Sequence, residues 1–121
     1  KFMKKKVFLF DLDNTICLTK KNHYSKSKPL RKMISRINLL KENGHIIKIF
    51  TSRYMGRNNE NYKLVKKKYH NKTNKQLEKW GLKFDELILG KPSYDIFIDD
   101  KCFNVKEKKT LKKLDQFINE K

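Results

Sequence analysis

Asp11 and Asp13 stand two positions apart, directly after the apolar run Val7-Phe8-Leu9-Phe10. A strand has a side-chain period of two, so the acids would point the same way if the extension persists past Phe10. Carboxylates that close repel one another unless a cation or a shared proton lies between them. The pair is therefore a candidate metal site with acid chemistry. Read alone, Asp-Leu-Asp-Asn-Thr fits a surface turn equally well. Three more apolar runs end in polar clusters: His45 to Phe50 in Thr51-Ser52-Arg53, Glu86 to Leu89 in Gly90-Lys91, and Tyr94 to Ile98 in Asp99-Asp100. In an open α/β sheet the carboxyl ends of the strands gather around one crevice, which would unite the four clusters.

Such a set suits phosphoryl transfer. Asp11 and Asp99, from two strands, can hold Mg²⁺, a hard cation that takes oxygen ligands and keeps several waters. An ionised Asp11 can attack phosphorus and form an aspartyl-phosphate. Asp13 would protonate the leaving oxygen and then help water attack the intermediate. The Thr51 hydroxyl, nearby backbone N–H groups and the Lys91 ammonium would hold the phosphoryl oxygens.

The elements needed to position these groups are legible. Residues 5–10 read as a buried strand. Residues 16–28 read as a polar, irregular loop whose His23, Tyr24 and Lys26 could overhang the site. Pro29 suits the first position of a helix, and Leu30, Met33, Ile34, Ile37 and Leu40 follow at helical spacing up to a stop at Gly44. A second strand spans 45–50, and His45 beside the helix end reads as structural. A helix is expected over about 61–80, with a capping box at Thr73-Asn74-Lys75-Gln76 that could break it. Strands follow at 86–89 and 94–98, then a helix over about 105–119 that buries Leu111, Leu114, Phe117 and Ile118. Strands alternating with helices predict an α/β fold, a three-layer Rossmann-like parallel sheet with helices on both faces. No linker divides the chain, so residues 1–121 form one domain.

At these residues the sequence resembles the haloacid dehalogenase (HAD) superfamily. Phe-Asp-Leu-Asp-Asn-Thr looks like its first motif, Phe-Thr-Ser its second, Lys91 its third and Ile-Asp-Asp its fourth, over residues 7–100. The resemblance implies Asp11 as nucleophile, Asp13 as acid/base, and Thr51 with Ser52 and Lys91 on the phosphate. It implies Mg²⁺ on Asp11, the Asp13 carbonyl and Asp99, with Asp100 near. Many members carry Gly where Asn14 stands, and Asn is the residue after Gly that best tolerates a left-handed backbone. Tyr-Ser-x-x-Lys-Pro (24–29), Phe-Thr-Ser-Arg (50–53), Leu-Gly-Lys-Pro-Ser-Tyr-Asp (89–95) and Ile-Asp-Asp-Lys (98–101) look like small bacterial members associated with capsule or surface-polysaccharide biosynthesis. That implies a sugar-phosphate substrate, with Tyr24, Lys26, Arg53 and Lys101 as candidate contacts. The Thr-Ser-Arg and Ile-Asp-Asp-Lys segments also resemble the phosphatase domain of polynucleotide kinase/phosphatases. Neither 16–28 nor 53–85 has room for a folded cap. A capless site is open, and a second copy could cover it.

Composition sets the remaining bounds. The net charge is +18, from 31 Lys+Arg against 13 Asp+Glu. The lysines are spread over 4–6, 20–28, 63–75 and 106–113, so a solvated basic surface that favours anionic substrates is preferred to a nucleic-acid interface. No apolar run approaches the ~20 residues of a membrane span. The two cysteines, Cys17 and Cys102, form no CxxC pair and read as small apolar fillers in a reduced, cytoplasmic protein. Tyr94 and Trp80 read as core, and His70 has no evident partner. Three functions compete: a phosphatase of small phosphate esters, a polynucleotide 3′-phosphatase, and a non-enzymatic basic binding protein.

Overall fold

A computed structural model describes residues 4–119. Three parallel strands form the sheet: β1 (Val7–Phe10), β4 (Ile46–Thr51) and β5 (Glu86–Leu89), in the order β1-β4-β5. The register aligns Val7 with Ile46 and Lys48 with Glu86. Helices α1 (Arg31–Glu42), α2 (Tyr62–Lys79) and α3 (Lys108–Asn119) pack on it. Helix α1 lies against β4 and α3, and α2 lies against β5. Two short strands, β2 (Cys17–Leu18) and β3 (Lys28–Pro29), pair antiparallel beside the sheet.

Burial follows the apolar periodicities. In β4, Ile47, Ile49 and Thr51 are buried at alternate positions, as a period of two requires. In α1, Met33, Ile34, Ile37 and Leu40 form the buried stripe. Burying each of these large side chains is worth roughly 1.5–3 kcal/mol. Gly44 stops the helix at φ +90°, and its amide donates to the Lys41 carbonyl at 2.9 Å. His45 is structural: its Nδ1 accepts from the Lys6 amide at 3.0 Å, and its ring packs edge-on against Phe8. The Asn43 side chain donates to the Ile118 carbonyl, and Arg36 pairs with Asp115, tying α3 to α1.

Several expectations are corrected. Residues 5–10 are not a buried strand: β1 spans Val7–Phe10, and Val7 and Leu9 are exposed. Of the four apolar residues expected to be buried in α3, Leu114 is buried and Leu111, Phe117 and Ile118 are half-buried. Tyr94–Ile98 is not a strand, because the chain between β5 and α3 forms no ladder. Ile96 and Ile98 are 79% and 89% exposed there. Pro29 does not open α1: it pairs with Cys17 in the short ladder, and Leu30 takes the cap position. Residues 16–28 are not wholly irregular, since β2, β3 and a 3₁₀ turn at Tyr24–Lys26 fold them into a flap. Helix α2 does not break at Thr73: it runs unbroken from an Asn61 cap that accepts from the Leu64 amide at 3.2 Å. Trp80 is core as expected, but Tyr94 and Cys102 are exposed. His70 finds a partner in the Leu87 carbonyl, 2.9 Å from its Nε2. Among the described residues no helix is long and apolar enough to cross a membrane.

Candidate active site

β1 and β4 are hydrogen-bonded neighbours, so Asp11, Asp13 and Thr51-Ser52-Arg53 emerge side by side. Asn14 turns the chain just past the acids at φ +64°, a conformation Asn tolerates better than other side-chain-bearing residues. The turn is closed by the Ile16 amide donating to the Leu12 carbonyl at 2.8 Å. A cleft of about 430 Å³ opens here. Asp11, Asp13, Thr51, Ser52, Tyr24 and Arg57 are among its lining residues.

Asp11 is held from two directions. The Thr15 hydroxyl donates to Oδ2 at 3.2 Å, and the Lys91 ammonium lies 3.6 Å from Oδ1. Lys91 arrives from the end of β5, where its amide donates to the Thr51 carbonyl at 3.2 Å. Its ammonium also donates to the Tyr94 hydroxyl at 3.0 Å and faces the rings of Phe50, Tyr94 and Phe97. That aromatic setting keeps Lys91 nearly buried and aimed at the acid. Thr51 Oγ1 accepts from the Arg53 amide at 3.2 Å, which leaves its hydroxyl proton to donate into the cleft. The Ser52 hydroxyl donates to the Pro92 carbonyl at 3.0 Å.

Asp13 is bound to Arg53, which is 2% exposed and was expected to meet substrate. Arg53 Nε lies 3.1 Å from Oδ1 and 2.9 Å from Oδ2, and Nη2 lies 2.9 Å from Oδ1. Nη1 donates to Gln76 Oε1 on α2, and the Gln76 amide donates to the Tyr24 carbonyl at 2.8 Å. Ser27 Oγ, 3.3 Å away, takes a further Arg53 donor. The Thr19 hydroxyl donates to Asp13 Oδ1 as well. Arg53 therefore ties the acid, the flap and α2 together: it is a positioning residue whose guanidinium also forms part of the cleft wall. Nothing in the sequence pairs it with Gln76, since that contact is made across the fold.

Tyr24 lines the cleft as expected, and the rest of the rim comes from residues with no sequence signal of their own. Tyr54 holds φ +69°, which is uncommon for a bulky side chain and costs local strain. Its ring stacks on Tyr69 at 3.8 Å and meets Tyr24 edge-on. Burial pushes the Tyr54 phenol up from its ordinary pKa. The Arg57 guanidinium lies over both Tyr24 and Tyr54 and donates to the Asn22 carbonyl at 3.1 Å, pinning the flap. Lys21 adds a third cation to the lining, beside Arg53 and Arg57. Glu60 accepts from the Ser93 amide at 2.9 Å and the Ser93 hydroxyl at 2.8 Å, and the amide bond chiefly holds its carboxyl below the usual range. Cys17 is buried, and desolvation raises its thiol pKa, which suits a filler and not a nucleophile.

The fourth cluster is not gathered. Asp99 and Asp100 are exposed and lie outside the cleft lining, as do Lys26, Lys101 and the buried Lys91, which reaches the site through Asp11. Among the described residues no three acidic, His or Cys side chains converge as a metal site. The missing strand over 94–98 is the reason, because Asp99 was expected at its carboxyl end.

With this geometry the chain is similar to a target protein from Vibrio cholerae known from its crystal structure. The two are 23% identical and superpose with a TM-score of 0.77, over 95% of this chain and 97% of that one. The likeness shows a shared fold. No family model and no curated protein matches the chain.

Proposed function

We propose that the chain is a Mg²⁺-dependent phosphomonoester hydrolase with a HAD-type fold, acting on a sugar phosphate or similar small metabolite. The observation that carries this reading is the Lys91 ammonium 3.6 Å from Asp11 Oδ1, with Thr51 and Asp13 on the same cleft. A nearly buried lysine aimed at a strand-end acid sets a fixed cation where the oxygens of a phosphoryl group attacked by Asp11 would lie.

In this reading an Asp11 oxygen attacks phosphorus and the P–O ester bond breaks. Asp13 gives the leaving alcohol oxygen its proton. Water then attacks the aspartyl-phosphate with Asp13 as base, releasing inorganic phosphate and regenerating Asp11. Asp13 Oδ2 is suited to move that proton, since it carries one Arg53 bond while Oδ1 is taken by Arg53 and Thr19. Lys91 would offset the charge of the phosphoryl oxygens, and the Thr51 hydroxyl would donate a hydrogen bond to them. The Asp11 side chain is 37% exposed, and its hydrogen-bond and ion-pair partners are Thr15 and Lys91, so it has oxygen capacity left for a cation. Asp11 and the Asp13 carbonyl would hold Mg²⁺, which supplies charge screening and polarises the phosphoryl oxygen when bound.

The rim favours a compact phosphate ester. Lys21, Arg57 and Tyr24 face the cleft, and the flap over it is pinned by Arg57. The open, cationic mouth also supports a second reading, a polynucleotide 3′-phosphatase. A phosphate-release panel of sugar phosphates, nucleotides and 3′-phosphorylated oligonucleotides, each with Mg²⁺, separates them. Release from small esters is expected, with Asp11→Asn lowering the rate by at least ~10³-fold. No release from any member, or an Asp11→Asn protein that keeps its rate, defeats the proposal.

A further inference from the structure

The cleft carries more cations than its own acids use. Its two carboxylates are already matched, Asp13 by Arg53 at 2.9 Å and Asp11 by Lys91 at 3.6 Å. Lys21 and Arg57 also line it, and among the described residues neither joins an ion pair. Unpaired cations are ordinary on a chain of net charge +18. Arg57 differs in how firmly it is aimed. Its guanidinium lies 5.0 Å from the Tyr54 ring and 5.6 Å from the Tyr24 ring, and Nη2 donates to the Asn22 carbonyl at 3.1 Å. Tyr54 is itself fixed by its stack on Tyr69 of α2. Nε and Nη1 of Arg57 have no acceptor among the described residues. A held guanidinium with donors left over has the form that suits a carboxylate or a phosphate. Backbone strain marks the same place. Lys21 at φ +51° and Tyr54 at φ +69° carry side chains in the left-handed region, and both line the cleft. Such strain persists where the surrounding structure fixes a residue, and it gathers at ligand clamps.

We propose that Arg57 and Lys21 form a second anion subsite, and that the substrate is a compact phosphate ester with a second anionic group, a carboxylate or another phosphate. Its role in turnover rests on the proposed hydrolase reading, whereas binding at the subsite does not. The spacing suits a small skeleton. Arg53, bound to Asp13, and Arg57, on the rim, face the same Tyr24 ring at 5.0 and 5.6 Å. A sugar-sized carbon chain can therefore reach from the phosphoryl position beside the acids to the subsite. The cleft, about 430 Å³, holds a molecule of that size. A neutral sugar end would leave both rim cations to water, whereas an anionic end gains charge-assisted bonds from them. The substrate class narrows from sugar phosphates at large to those with an acidic or doubly phosphorylated skeleton.

Matched pairs of esters test the subsite. Replacing the terminal hydroxymethyl of sorbitol 6-phosphate by a carboxylate gives 6-phosphogluconate, and adding a phosphate to fructose 6-phosphate gives fructose 1,6-bisphosphate. Phosphate release with Mg²⁺ should show kcat/KM at least ~10-fold higher for the more charged member of one pair, the worth of a hydrogen bond to a charged group. The pair that shows the preference identifies the anion. Arg57→Gln with Lys21→Gln should bring that ratio to about one. Both side chains are exposed, so the double variant should keep the wild-type circular dichroism. A ratio within a pair also cancels any loosening of the flap, which both members would feel alike. A wild-type ratio near one in both pairs, or a double variant that keeps the wild-type ratio, overturns the subsite and leaves the hydrolase reading standing. If no ester is cleaved, the same ratio is read as binding by titration calorimetry. Tighter binding of the more charged member, lost in the double variant, then upholds the subsite and defeats the hydrolase reading; any other result defeats both.

Discussion

Replacing Arg53 by Met removes the cation that binds Asp13 while keeping an unbranched apolar stem. The Arg53 side chain is 1% exposed and that of Asp13 21%. Three N–H···O contacts of 2.9–3.1 Å join them, and further donors reach Gln76 and Ser27. Removing one partner of a buried pair strands the other charge and costs about 3–5 kcal/mol. Asp13 keeps Thr19 and some contact with water, so the lower end applies, about 3 kcal/mol. For a domain of this size that is a fall of roughly 12 °C in Tm. Urea unfolding of wild type, Arg53→Met, Asp13→Asn and the double variant forms a cycle. The coupling between the two sites should be at least ~1.5 kcal/mol, because two adjacent members of one network do not add. Arg53→Lys should recover only part of the loss, since an ammonium lacks the planar fork that reaches both oxygens. A loss below ~1 kcal/mol in Arg53→Met, the range of exposed ion pairs, would refute the reasoning that Arg53 is the tie between acid, flap and helix.

Two further outcomes follow from the packing. Burial lowers the His45 pKa below its ordinary value, because desolvation disfavours the cation. The unfolded chain then binds a proton first as pH falls, so stability is complete above about 6.5 and declines below it. Melting curves between pH 8 and 5 should show this fall, and His45→Gln should flatten it; an equal slope in both proteins would remove His45 as the cause. Gly90 holds φ +94°, and a Cβ there would sit 2.9 Å from Tyr62 Cβ. Gly90→Ala should cost about 1–3 kcal/mol through backbone strain and that contact, read as a lower urea midpoint. An unchanged midpoint would mean that the turn into Lys91 relaxes freely.

Local signals carried most of the fold. The periodicities of β1, β4 and β5, the stripe of α1 and the stop at Gly44 are properties of neighbours in the chain, and the structure forms each of them. Asn14 shows the same economy: its tolerance of a left-handed backbone was legible from residue type, and it holds φ +64°. The first two clusters meet because adjacent parallel strands end together, and Lys91 joins them from β5. Residue type misled where a second element had to agree. Pro29 has the φ of a helix start, yet pairing with Cys17 claimed it for β3. Gln76 read as part of a cap, yet Arg53 drew it inward.

The sequence by itself placed Asp11 and Asp13 after β1 and Thr51 at the end of β4, because apolar period and strand-end polar residues are encoded within a few positions of one another. Only the tertiary structure decided that Arg53 grips Asp13 instead of facing solvent, since its partners lie on β4's neighbour, the flap and α2. It also decided the fate of Tyr94–Ile98. That run is as strand-like in composition as β1, yet it joins no ladder with the described strands and stays exposed.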